Sequence, residues 1–199
     1  MKILIVAATQ QEILACKNHS FKNNSVDFLI TGVGMIATAY ALGKHLQNNS
    51  YDLLINAGIA GCFDKSIKIG AVFQITEDCF SELGAEDGNN FISIDELEFG
   101  KSSFKNNFKL ENLKSVAAIT VNTVHGNENS IKDIQNKLHP TLESMEGAAV
   151  AYVCEQETQK YLQIRSVSNY VEPRNKDNWN ISLAIENLNN KVIEIIETL

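Results

Sequence analysis

Two carboxylates and one amide stand where chemistry could occur. Glu12 follows the first apolar run, Glu146 opens a segment of small apolar residues, and Asn169 ends a late apolar run. A carboxylate can act as a general base, and an amide can both donate and accept hydrogen bonds in one plane, as a purine edge requires. Simpler interpretations exist, because Glu146 could only complement a helix dipole and Asn169 could only satisfy a turn. The residues alone predict a hydrolase or transferase with these side chains in its cleft.

The elements that must position these residues alternate along the chain. Strands are predicted at 2–8, 26–32, 52–58, 70–79, 115–124 and 160–168, and helices near 10–17 and at 34–46, 129–137, 145–157 and 180–197. The polar region 80–114 is predicted to form loops and short strands. This order predicts a single α/β domain over 1–199, with a sheet covered by helices on both faces. In such folds, ligands bind at the carboxyl ends of the strands.

Composition excludes several classes of protein. The 199 residues are 44% hydrophobic and 21% charged, which excludes a disordered chain. The net charge is −7, and only two arginines occur, so we expect neither a nucleic acid nor an anionic membrane as partner. No apolar segment reaches the length of a membrane span. Four scattered cysteines without a CxxC pair fit free thiols in a reducing compartment, and we predict a cytoplasmic protein.

Other possible sites have weak support. TGVG at 31–34 lacks the third glycine of a dinucleotide fingerprint, so a tight turn between a strand and a helix is the favoured interpretation. The histidines lack the spacing of a metal hydrolase, and no metal is expected. Cys62 lies in a glycine-rich stretch without a histidine partner at fixed spacing, so a buried apolar role is favoured over a nucleophile.

Five motifs in order resemble the nucleoside phosphorylase and nucleosidase superfamily. They are Glu12, GVG at 32–34, NAGIAG at 56–61 with IKIGAVFQITED at 67–78, SMEGAA at 144–149, and RSVSN at 165–169. The segments 82–88 and 168–189 resemble the futalosine hydrolase branch in particular, with the methylthioadenosine/S-adenosylhomocysteine nucleosidases as close relatives. The resemblance implies a three-layer αβα fold with a mixed twisted central sheet. It also implies a small nucleoside as substrate, no metal or organic cofactor, and a homo-oligomer.

The resemblance also assigns roles to individual residues. Glu12 would activate the attacking water, and Glu146 would bind the ribose hydroxyls with Met145 beneath the sugar. The loop Ile59, Ala60 and Gly61 would form a wall near the sugar and base, and Val124 and His125 would line the base pocket. The implied enzyme is an N-glycosyl hydrolase.

Asn169 departs from the pattern of the adenine-specific nucleosidases, which have an aspartate at this place that protonates adenine. An amide supplies no titratable proton, but its N–H can stabilise negative charge on a departing 6-oxopurine. We therefore expect hydrolysis of futalosine to dehypoxanthine futalosine and hypoxanthine, a step that the resemblance places in menaquinone biosynthesis. The alternatives are a methylthioadenosine/S-adenosylhomocysteine nucleosidase or another purine nucleosidase, and a nucleoside-binding module without turnover.

Two expectations concern the arginines. The first 164 residues contain none, and Glu12 would repel an anion, so water is favoured over phosphate as the nucleophile. Arg174 could bind the benzoate carboxylate of futalosine, or it could form a structural ion pair with Glu172 or Asp177. The sequence does not separate these two roles.

Overall fold

The computed structural model describes residues 1–88 and 90–199. Its strands are β1 (Lys2–Ala7), β2 (Ser25–Ile30), β3 (Leu53–Cys62), β4 (Val72–Phe80), β5 (Gly84–Asp87), β6 (Asn90–Ser93), β7 (Ser103–Lys105), β8 (Ser115–Thr120), β9 (Leu142–Ser144) and β10 (Tyr161–Tyr170). Its α-helices are α1 (Leu14–Asn18), α2 (Met35–Leu46), α3 (Glu128–Leu138), α4 (Gly147–Gln156) and α5 (Ile181–Thr198). Short 3-10 turns cover Gln11–Ile13 and Lys176–Asn178.

Eight strands form one mixed sheet in the order β10-β4-β8-β9-β3-β1-β2, with β7 on β4. A further parallel pairing joins β10 to β3, so β3, β9, β8, β4 and β10 close into a ring. The pairings β10–β4, β3–β9 and β4–β7 are antiparallel. A β-bulge at Ser168 shifts the β10–β3 register between Val167, opposite Ala60, and Asn169, opposite Gly61.

Successive residues of the central strands point to opposite faces of the sheet, and helices pack on both faces to form the layers. In β1, Ile3 and Ile5 pack with α5, whereas Leu4 and Val6 pack with α2 and α4. All five strands of the ring contribute to a third cluster that includes Ala60, Ile75, Ala118, Leu142 and Val167. Helices therefore cover both faces of the sheet, and the three-layer αβα prediction is confirmed.

The predicted helices and the short strands in 80–114 are found within a few residues of their expected positions. Two strands are longer than predicted. Ile59–Gly61, expected in a loop after the third strand, lie inside β3, and Asn169 lies inside β10. The cause is the β3–β10 pairing, which extends the ladder to Cys62 and Tyr170. By contrast, β8 ends early at Thr120 and leaves Val124 and His125 in the connection to α3.

Three predictions about particular segments can be compared with the described residues. None of their helices combines the length and apolar character needed to cross a membrane. The four cysteines are free, and burial raises the pKa of the Cys62 thiol, which argues against a thiolate nucleophile there. The TGVG segment forms the expected strand-to-helix turn, with a positive φ at Gly32 and Gly34.

Candidate active site

Two adjoining cavities open at the carboxyl ends of the parallel strands. The first, called here the carboxylate cavity, has a volume of about 320 Å³ and is lined by Glu12, Glu143, Glu146 and Asn169 among others. The second, called here the histidine cavity, measures about 300 Å³ and is lined by His125, Arg174 and Glu172 among others. Both are lined by Gly61, Val124, Glu143, Asn169 and Trp179, so they form one continuous cleft.

Glu12 is buried in the 3-10 turn that follows β1. Its Oε2 accepts hydrogen bonds from the backbone N and the hydroxyl of Thr9, at 2.9 and 3.0 Å. Its Oε1 accepts from the backbone N of Ile59 at 3.2 Å. These contacts fix the carboxylate while it still lines the cavity, which suits a general base that must hold a water molecule.

Glu146 immediately precedes α4, but its side chain does not cap that helix. Its Oε1 accepts from the backbone N of Gly34 at 2.9 Å, and its Oε2 accepts from the backbone N of Met145 at 3.3 Å. Burial raises the pKa of the Glu146 carboxyl, and the positive charge of Arg165 opposes that shift. The carboxylate is therefore held toward the cavity, and the simpler helix-dipole interpretation does not account for its contacts.

Arg165 is the main residue that the sequence interpretation missed as a functional group. It is fully buried on β10, and its Nη2 donates to Oδ1 of Asn56 at 2.6 Å. Burial lowers the pKa of Arg165, but Glu146, Asp78 and Glu12 oppose that shift. A Cβ on Gly58 would lie 3.2 Å from Glu12 Oε1 and 3.3 Å from Arg165 Nη1, so glycine permits this close approach. Arg165 thus supplies countercharge to the buried carboxylates from beneath the cleft, where an anionic co-substrate does not reach it.

A second buried network supports the start of α4. Asp78 accepts from the Thr120 hydroxyl at 2.9 Å and from Gln163 Nε2 at 2.6 Å, and burial raises its pKa to about 6. Thr120 Oγ1 in turn accepts from the backbone N of Ala148 at 2.7 Å. A Cβ on Gly147 would lie 2.0 Å from Asp78 Oδ2, so the glycine after Glu146 is required by packing.

The amide of Asn169 has a fixed orientation. Its Nδ2 donates to the carbonyl of Tyr170 at 3.0 Å, and its Oδ1 accepts from the Ser168 hydroxyl at 2.8 Å. A carbonyl only accepts, so the group facing Tyr170 O must be the nitrogen. An amide nitrogen carries two hydrogens, and the second is left for a ligand. A Cβ on Gly61 would lie 3.4 Å from this nitrogen, so the Nδ2 group borders the space above Gly61.

A histidine–carboxylate pair lies on the other side of Gly61. Glu143 of β9 is opposite Gly61 in the register, as Asn169 is from β10. Its Oε1 accepts from the backbone N of His125 at 3.0 Å, and its Oε2 forms a short contact with His125 Nδ1. Burial raises the pKa of Glu143, and the hydrogen bond from His125 opposes that shift. Neither Glu143 nor this pairing is expected from the sequence.

The remaining predicted residues divide between the cavities. Ile59, Ala60, Met145 and Val124 line the carboxylate cavity. Arg174 lines the histidine cavity, with its Cζ 5.0 Å from the centre of the Trp179 ring. Glu172 is paired with Lys65 at 2.7 Å, and no salt bridge involving Arg174 is found among the described residues. Trp179, which lines both cavities, was not anticipated.

The chemistry of this cleft distinguishes it from other depressions. A larger cavity of about 690 Å³ lies at the opposite edge of the sheet, beside Asp52, Leu53 and Tyr161. It lacks a comparable group of buried carboxylates, whereas perturbed titratable groups typically mark functional sites. Within 1–88 and 90–199, no group of three or more His, Cys, Asp or Glu residues could hold a metal ion.

The fold and this cleft define an α/β protein with a site at its carboxyl-end edge. Comparison with known proteins then gives the family. The family model of the phosphorylase superfamily matches residues 19–198, and the chain belongs to that superfamily. The family resemblance predicted from the sequence motifs is confirmed.

This chain is similar to futalosine hydrolases and to 5'-methylthioadenosine/S-adenosylhomocysteine nucleosidases. The futalosine hydrolase of Streptomyces coelicolor is 29% identical over 187 residues, covering 87% of this chain and 79% of the relative. The 5'-methylthioadenosine/S-adenosylhomocysteine nucleosidase of Buchnera aphidicola subsp. Schizaphis graminum is 23% identical over 228 residues, covering 98% and 96%. The predicted class of enzyme, an N-glycosyl hydrolase, is confirmed by such relatives.

A solved structure shares the fold. The 5'-methylthioadenosine/S-adenosylhomocysteine nucleosidase of Colwellia psychrerythraea, in complex with adenine, superposes with a TM-score of 0.82. It is 20% identical, and the match covers 100% of this chain and 96% of that one. At this identity the likeness supports the architecture alone.

Proposed function

We propose that this protein is a futalosine hydrolase, which cleaves the N-ribosidic bond of futalosine and releases hypoxanthine and dehypoxanthine futalosine. The observation that carries the proposal is the fixed amide of Asn169, whose free N–H borders the cleft that also contains Glu12 and Glu146. An N–H donor suits a 6-oxopurine that leaves with negative charge on its ring and oxygen. The futalosine hydrolase relatives support the same substrate.

In the proposed mechanism the carboxylates of Glu146 and Glu12 have different roles. Glu146 binds the ribose hydroxyls through the lone pairs that Gly34 and Met145 leave free, and Met145 packs beneath the sugar. Glu12 takes a proton from the attacking water, a contribution typically worth about 10²–10⁴-fold. Asn169 stabilises the departing hypoxanthine. Ile59, Ala60, Gly61, Val124 and His125 bound the space for sugar and base.

Water is the proposed nucleophile. The carboxylate cavity is lined by three glutamates and by no Lys or Arg among the described residues, and Arg165 is buried beneath it, so phosphate would meet carboxylates and find no cation to bind it. The protein should therefore release ribose rather than ribose 1-phosphate from inosine, with or without added phosphate. Formation of ribose 1-phosphate would contradict this step.

The substrate is tested by a panel of nucleosides. Purified protein is incubated with futalosine, inosine and methylthioadenosine without phosphate, and the released base is identified by chromatography. We expect hypoxanthine from futalosine as the fastest product. Adenine release from methylthioadenosine at a similar rate would favour the methylthioadenosine/S-adenosylhomocysteine nucleosidase alternative, and binding of futalosine without base release would favour a binding module.

Arg174 is proposed to bind the benzoate carboxylate of futalosine. It lies beside Trp179, where the two cavities meet, and Glu172 is already paired with Lys65. Arg174→Ala should therefore raise KM for futalosine and leave inosine hydrolysis unchanged. Equal losses with both substrates would remove this role.

The protein is further proposed to act in the cytoplasm, in menaquinone biosynthesis, as a homo-oligomer without metal or organic cofactor. Three exposed apolar side chains in and just before α2 support self-association, because Val33, Ile36 and Tyr40 are 58, 80 and 70% exposed and Val33 also lines the cleft. Sedimentation of the wild type and of Ile36→Glu tests this, since the variant should dissociate. A monomeric wild type would contradict it.

A further inference from the structure

The imidazole of His125 is oriented toward the cleft by groups that leave one nitrogen free. Both oxygens of Glu143 contact this residue, one at the backbone N and one at Nδ1. The Phe63 ring lies edge-on to the imidazole, with centroids 6.4 Å apart. Among the described residues, no hydrogen-bond partner is found for Nε2, and the imidazole borders the histidine cavity.

In the proposed mechanism His125 only bounds the space for the base, and Glu143 has no role. A buried carboxylate costs free energy unless it is paired, and this one is 4% exposed on a three-residue strand. Register places it on one side of Gly61 while Asn169 lies on the other. Gly61 lines both cavities, and a Cβ there would lie 3.0 Å from Val171 Cγ2 and 3.4 Å from Asn169 Nδ2, so the glycine keeps a side chain out of the cleft between the amide and the histidine pair.

Two other titratable groups along the histidine cavity are already engaged, and a third, Arg174, is the residue proposed to bind the benzoate carboxylate. Glu172 accepts from Lys65, and the Tyr170 hydroxyl donates to the carbonyl of Ile67 at 2.8 Å. Glu12 and Glu146 belong to the carboxylate cavity rather than to this one. Asn169 has no titratable proton. The Glu143–His125 pair is thus the titratable pair beside the space proposed for the purine.

We infer that His125 is the general acid that protonates the departing purine and that Glu143 is its positioning residue. This inference rests on the proposed function. As the bond between C1′ and the purine nitrogen breaks, its electron pair stays with the purine, and His125 Nε2 gives its proton to a nitrogen of that ring. The water oxygen bonds to C1′ and its proton passes to Glu12. His125 and Glu12 then return to their starting states by proton exchange with solvent.

Glu143 stabilises the imidazolium in this scheme. A carboxylate bonded to one ring nitrogen fixes the orientation of the ring and favours positive charge on it. Asn169 and His125 then act on the same leaving group from opposite sides of Gly61. The amide stabilises charge as it develops, and the histidine neutralises it.

Substrates with different leaving groups separate this role from a structural one. Inosine releases a purine that benefits from a proton, whereas 4-nitrophenyl ribofuranoside releases a stable phenolate that does not. His125→Gln should lower kcat on inosine by about 10²–10⁴-fold, the usual worth of a general acid, and leave 4-nitrophenyl ribofuranoside cleavage little changed. Glu143→Gln should show a smaller loss with the same selectivity, in kcat rather than KM.

A matched control is available. His19 pairs with Glu197 at 2.9 Å, away from both cavities, so His19→Gln should leave both activities unchanged. Equal losses on the two substrates in His125→Gln, or no loss on inosine, would overturn the inference. A wild type that cleaves the nitrophenyl riboside but no 6-oxopurine nucleoside would instead refute the proposed function.

Chemical rescue gives an independent measurement. In His125→Ala, added imidazole should fill the vacated space and restore part of the rate on inosine. Imidazole should have no effect on Glu12→Gln, because glutamine fills the same space as glutamate and leaves no room for imidazole beside the water. Absence of rescue in His125→Ala would also overturn the inference, whatever the nitrophenyl riboside shows.

Discussion

Replacing Asn169 with aspartate tests the amide that carries the proposed specificity. In the wild type, Asn169 Nδ2 donates one hydrogen to the carbonyl of Tyr170, at 3.0 Å, and its other hydrogen is left for a ligand in the cleft. An ionised aspartate has neither hydrogen and brings an oxygen against the Tyr170 carbonyl. Ser168 still donates to the other oxygen. The variant therefore loses one donor to the leaving base without losing its side-chain anchor.

The size of the effect follows from that single donor. Removing one preorganised donor to a developing negative charge typically costs about 2.7–4 kcal/mol, or about 10²–10³-fold in kcat. We expect this loss on futalosine and inosine. Methylthioadenosine cleavage should rise at the same time, because a protonated aspartate can give adenine the proton that it needs.

The assay measures hypoxanthine and adenine release at several pH values. Activity of Asn169→Asp on methylthioadenosine should increase toward acid pH, where the aspartate is protonated and can give that proton to adenine. Asn187→Asp is the matched control, because Asn187 Nδ2 also donates to a backbone carbonyl, that of Gly70, at 2.8 Å, but lies outside the cleft. Unchanged inosine hydrolysis in Asn169→Asp, with the control intact, would refute the reasoning.

Three further substitutions test the buried groups beneath the cleft. The folded Asp78 carboxyl keeps its proton to about pH 6, and the unfolded one releases it near its ordinary value of 3.8. The free energy of unfolding, measured in urea, should therefore fall in the wild type by up to about 3 kcal/mol relative to Asp78→Asn as pH rises from about 3.8 to about 6. The same pH dependence in both proteins would contradict this. Gly147→Ala places a Cβ 2.1 Å from Gln163 Nε2 and should cost about 1–3 kcal/mol in thermal denaturation and lower kcat, unlike Gly43→Ala, whose Cβ meets open space. Arg165→Met leaves three buried carboxylates without countercharge and should cost about 3–5 kcal/mol at neutral pH, with partial recovery on acidification; equal stability at both pH values would show that another group balances them.

The layers of the fold follow from the sequence because apolar alternation is a local signal. Ile3 and Leu4 are adjacent in the chain and pack on opposite faces, as the period of a strand requires. The closure of the ring could not be predicted, since it depends on the pairing of β10 with both β3 and β4, far apart in the chain. The same pairing explains why Ile59–Gly61 were expected in a loop.

Part of the candidate site could also be predicted from the pattern of apolar runs in the sequence. Glu12, Glu146 and Asn169 stand at ends of apolar runs, and the fold brings all three to one cavity. Arg165 was visible as a lone arginine in an apolar strand, but its three carboxylate neighbours come from separate parts of the chain. Glu143 could not be predicted as a site residue, because its place in the site depends on its position opposite Gly61 and its contact with His125, which only the folded structure shows.

The bulge at Ser168 has a consequence for how relatives are compared. The extra residue stands outside the regular ladder, and its hydroxyl reaches Asn169 Oδ1 at 2.8 Å. A hydroxyl donates equally well to an amide oxygen or to a carboxylate oxygen, so the Ser168 contact can form with either asparagine or aspartate at position 169. The proposed function predicts that exchange of one NH₂ group for an oxygen redirects which base departs while the rest of the scaffold stays as it is. Under that proposal, the residue at position 169 says more about the substrate than percentage identity over the whole chain.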